Sequence, residues 1–123
     1  MLLDSETVLH IIEENFMDDV EHEVLTSVMS MDGYDLSEHF DNLVDYGDLE
    51  GIEELEVEEF STEKEEERRT VSGTLFLLAT VGGYVHWDGE DEYVESCELK
   101  MEFSFYFEIV DEEYRAFEIE YLW

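Results

Sequence analysis

Basic residues are almost missing from this chain. Five Lys and Arg stand against 37 Asp and Glu over 123 residues, a formal net charge of −32. Binding to a phosphate backbone needs a basic patch with aromatics interleaved. The only basic cluster, Lys64, Arg68 and Arg69, is embedded among Glu63, Glu65, Glu66 and Glu67. Direct nucleic-acid binding is therefore not expected, and anionic substrates are repelled. Proline is absent, and there is no Gly/Ser linker or internal repeat, so the chain reads as a single domain, 1–123. Cysteine occurs once, at Cys97. A lone thiol excludes an intrachain disulfide and suits a reducing cytoplasm. The stretch from Met1 to Glu6 has no basic region and no long apolar run, so it is not read as a signal peptide. The run from Val71 to Val85 is too broken by Thr and Gly for a membrane helix.

What is present is apolar bulk in ordered alternation. Hydrophobic residues make up 44% of the chain, with eight Phe and seven Tyr, enough to build a core rather than a disordered acidic tail. From Thr70 to Trp87 every second residue is apolar or glycine: Val71, Gly73, Leu75, Leu77, Ala79, Val81, Gly83, Val85, Trp87. From Tyr93 to Val110 the same holds for Cys97, Leu99, Met101, Phe103, Phe105, Phe107 and Ile109. A period of two marks a strand with one buried face. Asp88 to Glu92 joins the two runs, and Asp88-Gly89 is a hairpin turn signal. Gly82-Gly83 marks a bulge or bend within the first of them.

Ahead of this hairpin, Asp4 or Ser5 caps a helix whose apolar stripe is Val8, Ile12, Phe16 and Val20. Val24, Leu25, Val28 and Met31 continue it or follow a break near Asp18, and Asp32-Gly33 ends it. Ser37 is read as the cap of another short helix, with Phe40, Leu43 and Val44 buried and Tyr46-Gly47 as its end. Leu55 and Val57 alternate with glutamates from Ile52 to Phe60, an edge strand with a charged outer row. Ser61 to Arg69 is a charged connection. A last strand follows the turn at Asp111-Glu112-Glu113, with Phe117, Ile119, Tyr121 and Trp123 on one side. The predicted fold is α+β, with N-terminal helices (1–50 mainly helical) packed on one face of a four-stranded antiparallel β-meander (51–123). The other face mixes carboxylates with Phe76, Leu78, Tyr84, Tyr106 and Tyr114, which reads either as a surface for a partner or a second copy of the chain or as ordinary exposed apolar area.

No motif carries catalysis. Neither Asp45 nor Asp88 starts a calcium loop of the required spacing. His10, His22, His39 and His86 lack zinc spacing, and His22-Glu23 lacks the second histidine of H-E-x-x-H. Cys97 faces inward without a base, and no glycine-rich phosphate loop opens a helix. The expectation is a protein that is not an enzyme and uses no cofactor.

Charge then becomes the functional signal. A charge of −32 equals that of roughly 54 Å of duplex DNA, on a domain whose radius of gyration is about 14 Å. Alternate residues of a strand lie ~6.8 Å apart and neighbouring strands ~4.8 Å apart, so carboxylates on one face form a lattice of phosphate-like density. Glu54, Glu56 and Glu58 make one predicted row, Glu98 and Glu102 a second, Glu118 and Glu120 a third. Asp88, Glu90, Asp91 and Glu92 form a protruding tip, and Glu13, Glu14, Asp18, Asp19, Glu21 and Glu23 extend a row along the first helix. In size, acid content and aromatic-rich core the chain resembles the acidic nucleic-acid mimics that phages and mobile elements deploy against restriction or CRISPR systems. That resemblance implies a cytoplasmic inhibitor that occupies the nucleic-acid site of a basic host protein. An immunity or antitoxin protein blocking a basic nuclease has nearly the same surface physics. Salt adaptation is a third reading, but it predicts a lean core, and this chain has two alanines against fifteen Phe and Tyr.

Overall fold

The structure, a computed structural model, describes residues 3–122. The final position of the predicted last strand, Trp123, lies outside them. The order of elements is α1 (Ser5–Asn15), α2 (Met17–Met29), α3 (Gly33–Leu36), β1 (Tyr46–Glu65), β2 (Arg68–Trp87), β3 (Glu90–Val110) and β4 (Glu113–Tyr121). The four strands form one antiparallel sheet in the order β1-β2-β3-β4, and the helices pack against it. The α+β meander read from periodicity is the fold.

Asp4 caps α1, its carboxylate accepting from the Thr7 amide at 2.8 Å. These hydrogen bonds hold the Asp4 carboxyl below the usual range. The helical stripe breaks at Phe16, which leaves the helix (φ −129°) and caps α1 and α2 at once. Its ring turns into the core, stacking on Phe117 at 4.5 Å and meeting Phe107 at 5.5 Å. Val8, Ile12, Val20, Val24 and Val28 line the helical side of that core. Val71, Leu75, Leu77, Ala79, Val81, Leu99, Met101, Phe103, Phe105 and Phe107 line the sheet side.

Three expectations fail between α2 and the sheet. Asp32-Gly33 does not end a helix but starts one. The Asp32 carboxylate accepts from the Asp35 amide, and Asp35 accepts in return from the Asp32 amide, a reciprocal cap that nucleates α3. Ser37 closes that helix instead of opening another. The chain from 37 to 45 is irregular. Phe40 and Val44 anchor it, while Leu43, expected to be buried, is 85% exposed.

The larger correction is the length of β1. It starts at Tyr46, read as a helix end, and runs through Glu65, read as a connection. Pairing with β2 along almost its whole length supplies what glutamate's poor strand propensity withholds. Three register shifts, at Leu49/Gly51, Glu53/Glu56 and Val57/Glu59, each put one extra residue in β1. The apolar spacing of Leu49, Ile52, Leu55, Val57 and Phe60 already encodes them, because each step of three in a two-residue pattern requires a bulge. Gly73 makes the last one possible: a Cβ there would lie 2.1 Å from the Glu59 carbonyl oxygen and 2.8 Å from Phe60 Cα. The connections shrink correspondingly to two-residue turns, Glu66-Glu67, Asp88-Gly89 and Asp111-Glu112, and five of these six residues have φ between 50° and 82°. Glu90, Asp91 and Glu92 therefore belong to β3 rather than to the connection between the strands. The Gly82-Gly83 irregularity is present as a register shift at Gly83/Tyr84. Gly83 lets Phe40 and Val44 seat on the sheet, where a Cβ would meet them at 2.7 and 2.6 Å.

Candidate partner-binding surface

Ladder partners share a face, so the register assigns every paired side chain of the sheet. Inward go the core residues above. Outward on β2 go Thr70, Ser72, Thr74, Phe76, Leu78, Thr80, Gly82 and Tyr84, a stripe without a single charge. On one side of it β3 presents Glu98, Lys100, Glu102, Ser104, Tyr106 and Glu108, with Glu118 and Glu120 of β4 beyond. On the other side β1 presents Glu53, Glu56, Glu59 and Glu63. The uncovered face is thus two acidic ridges flanking a neutral floor, with β1 and β3 about 9.6 Å apart at two strand spacings.

All the sequence-predicted contact residues except the half-buried Glu23 are exposed, but they do not form one surface. Glu54, Glu56 and Glu58 do converge, around a depression of about 220 Å³ that also contacts Phe76, Leu78 and Lys100. Glu54 reaches it from a left-handed backbone (φ 51°) at a bulge. Glu118 and Glu120 share a second depression with Ser104 and Tyr106. Glu98 and Glu102 flank Lys100 on β3, so that row carries a base at its centre. Glu13 and Glu14 lie on α1, Asp18 and Asp19 on α2, beyond the break at Phe16. The expected continuous row along one helix therefore does not exist. Asp88 occupies the distal turn, and Glu90, Asp91 and Glu92 follow it on β3.

Sequence reasoning placed Asp18 and Glu21 in an acidic row but did not show that helix acids lie along the β1 edge. The N-terminus of α1 places Ser5, Glu6 and Leu9 beside Leu55 to Glu59. The first half of α2 places Asp18, Glu21 and His22 beside Leu49 to Ile52. With Asp48, Glu50, Glu53, Glu54, Glu56, Glu58, Glu59, Glu63 and Glu65, β1 carries nine acids among twenty residues, and Lys64 is its only base. Chain-distant carboxylates of this sort leave no trace in sequence spacing. Tyr114, predicted for the outer face, pairs with Ile109 and packs edge-on against Phe107 at 6.4 Å on the core side; the bulge at Ala116 (φ 57°) resets the alternation of β4.

The bases are largely engaged. Arg68 donates to Glu65 at 3.0 Å and to Glu108 at 3.1 Å. The hydrogen bond to Glu65 and the nearby Glu108 charge raise its pKa further. Arg115 approaches Glu108 at 3.9 Å. Cys97 is half-buried, and burial followed by the nearby Glu95 charge raises its thiol pKa, which disfavours a thiolate nucleophile. Among the described residues no group of three His, Cys, Asp or Glu side chains is placed to hold a metal ion, and no helix is long and apolar enough to cross a membrane.

So many like charges on one scaffold repel each other, and salt screens them over a Debye length of about 8 Å at 0.15 M. The melting temperature should accordingly rise on adding NaCl from 10 to 150 mM, followed by circular dichroism; a fall over that range would contradict a scaffold limited by self-repulsion. No protein-family model matches this chain, and neither does any curated protein or solved structure.

Proposed function

We propose that this protein is a nucleic-acid mimic that inhibits a basic nucleic-acid-binding protein by occupying its phosphate-binding site. The reading extends to a host-defence target, a CRISPR effector or restriction enzyme, and to action in the cytoplasm. The observation that carries it is the β1 edge: nine carboxylates on one strand of twenty residues, joined from the helical layer by Glu6, Asp18 and Glu21. Phosphate contacts supply affinity without reading bases, so a rigid row of carboxylates competes for the same cationic groove. Electrostatic complementarity of this kind gives fast, steered association. The mimic needs no catalytic group and no cofactor.

A target captured from lysate at low salt and released by duplex DNA provides the binding assay. Glu54→Lys, Glu56→Lys and Glu58→Lys together should abolish competition with labelled DNA while far-UV circular dichroism stays unchanged. Glu38→Lys, Asp41→Lys and Glu113→Lys carry the same net charge of −26, each reversal adding two units to −32. That control should keep most of the inhibition. Equal loss in both variants would mean that total charge matters and the β1 edge does not. A target that holds DNA and this protein simultaneously would end the mimic reading.

A further inference from the structure

Near the distal end of the uncovered face the carboxylate lattice gives way to aromatic rings. Tyr46, Tyr84 and Tyr93 are ladder partners on three adjacent strands, β1, β2 and β3. Tyr46 stacks on Tyr84 at 5.3 Å with ring planes 9° apart, and Tyr84 meets Tyr93 edge-on at 5.5 Å. Tyr46 is 36% and Tyr93 50% exposed. Carboxylates border the rings. Asp91 accepts from His86 Nδ1 at 2.8 Å, and burial followed by the neighbouring Asp91 raises the pKa of Tyr46. The Glu50 carboxylate and the edge of the Tyr93 ring converge over bare backbone at Gly82, where a Cβ would lie 3.0 and 3.3 Å from them. No Lys or Arg occurs in residues 46–63, 70–87 or 90–99, the stretches that build this end of the sheet.

We propose that the Tyr46, Tyr84 and Tyr93 rings, with the carboxylates of Glu50 and Asp91, form a guanidinium-binding patch that grips an arginine of the basic partner. This rests on the mimic reading and adds to it the chemistry of the groove. A guanidinium is planar, stacks on aromatic faces and donates in a fork that a carboxylate accepts in pairs; a lysine ammonium is a compact, strongly hydrated point charge that meets ring faces less often and donates no such fork. Rings beside carboxylates offer a cation both a π face and a counter-charge. In a mimic the rings stand where bases stack and the carboxylates where phosphates lie. The partner is therefore a protein that presents arginine at its nucleic-acid site, and the tyrosine patch discriminates it from lysine-rich surfaces.

The test uses octa-arginine and octa-lysine, equal in charge, titrated into the full-length protein at low salt by calorimetry. Octa-arginine should bind at least about tenfold tighter. Carboxylates anywhere on the surface favour arginine to some degree, so the decisive quantity is the share of the preference that depends on the rings. Tyr93→Leu should reduce it by about fivefold and leave octa-lysine affinity unchanged. Tyr93→Phe, which keeps the ring, should keep the preference. In the unmutated protein, tyrosine ring proton resonances should shift with octa-arginine and stay in place with octa-lysine, a readout that requires no variant to fold. Equal affinities for the two peptides, or a preference that survives Tyr93→Leu with unshifted ring resonances, overturns the patch and leaves the acidic surface standing. Binding of neither peptide overturns both.

Discussion

Affinity of this protein for a cationic protein groove should fall steeply as NaCl rises from 50 to 200 mM. For six to ten phosphate contacts on DNA the loss over that range is about 10³- to 10⁵-fold. Nine carboxylates on β1 give the same order of contacts. The fold sets DNA's value as the upper limit, because carboxylates on a sheet face ~6.8 Å apart along a strand condense counterions less completely than two phosphate strands wound together. The fall should therefore lie between tenfold and that limit, with most of it in the association rate, since steering is what salt removes. Surface plasmon resonance at four salt concentrations measures both rates. A loss of less than tenfold would show that apolar contact dominates and that the carboxylates merely keep the protein soluble.

Phe103→Ala should remove most of the stability. Phe103 is fully buried at the centre of β3, paired with Leu75 on β2 and Tyr121 on β4, and its ring lies 5.2 Å from that of Tyr121. Truncating a buried Phe costs about 3–5 kcal/mol through lost transfer energy and the cavity left behind. A domain of this size commonly has ~5–15 kcal/mol in all, and this one carries 32 excess negative charges that oppose compaction. Urea denaturation at 150 mM NaCl should give a midpoint far below that of the parent protein. At 10 mM NaCl the variant should be partly unfolded before urea is added. A shift of less than 1 kcal/mol would mean that the sheet is held by something other than this aromatic layer.

The two effects are linked. The aromatic layer is what lets one small scaffold tolerate its charge. Val71 to Val81 and Leu99 to Phe107 bury a continuous apolar face, and the same backbone holds outward carboxylates in fixed register. A floppy acidic chain would carry equal charge and lose conformational entropy on docking. A rigid sheet presents the charges already in place.

How much of this was legible beforehand differs from strand to strand. The alternation of β2 and β3 is unbroken over many residues, and period two admits only one reading at that length. Asp88-Gly89 marked their turn, and the single-sided stripe of Val8, Ile12 and Val20 marked the helices. Placing the helices ahead of an antiparallel meander followed from element order alone. β1 was only half legible. Its three bulges break the alternation, its glutamates disfavour strands, and Tyr46-Gly47 imitates a helix end. Spacing therefore groups Glu54, Glu56 and Glu58, whereas Glu53, Glu59 and Glu63 are the ones that pair outward with β2 alongside Glu56. Spacing leaves open whether the helical stripe runs on or breaks near Asp18; in the structure it breaks at Phe16, whose ring stacks on Phe117, a contact spanning a hundred residues.

Composition and periodicity by themselves determined the charge, the α+β class, the central hairpin and the edge position of the glutamate-rich strand, because each depends on residues near one another in the chain. Tertiary structure alone decided that Glu6, Asp18 and Glu21 lie along β1, that β2 separates two acidic ridges, and that Tyr46 meets Tyr84 and Tyr93. Those placements follow from strand register and bulges, and register is set by how apolar faces from distant segments close on each other.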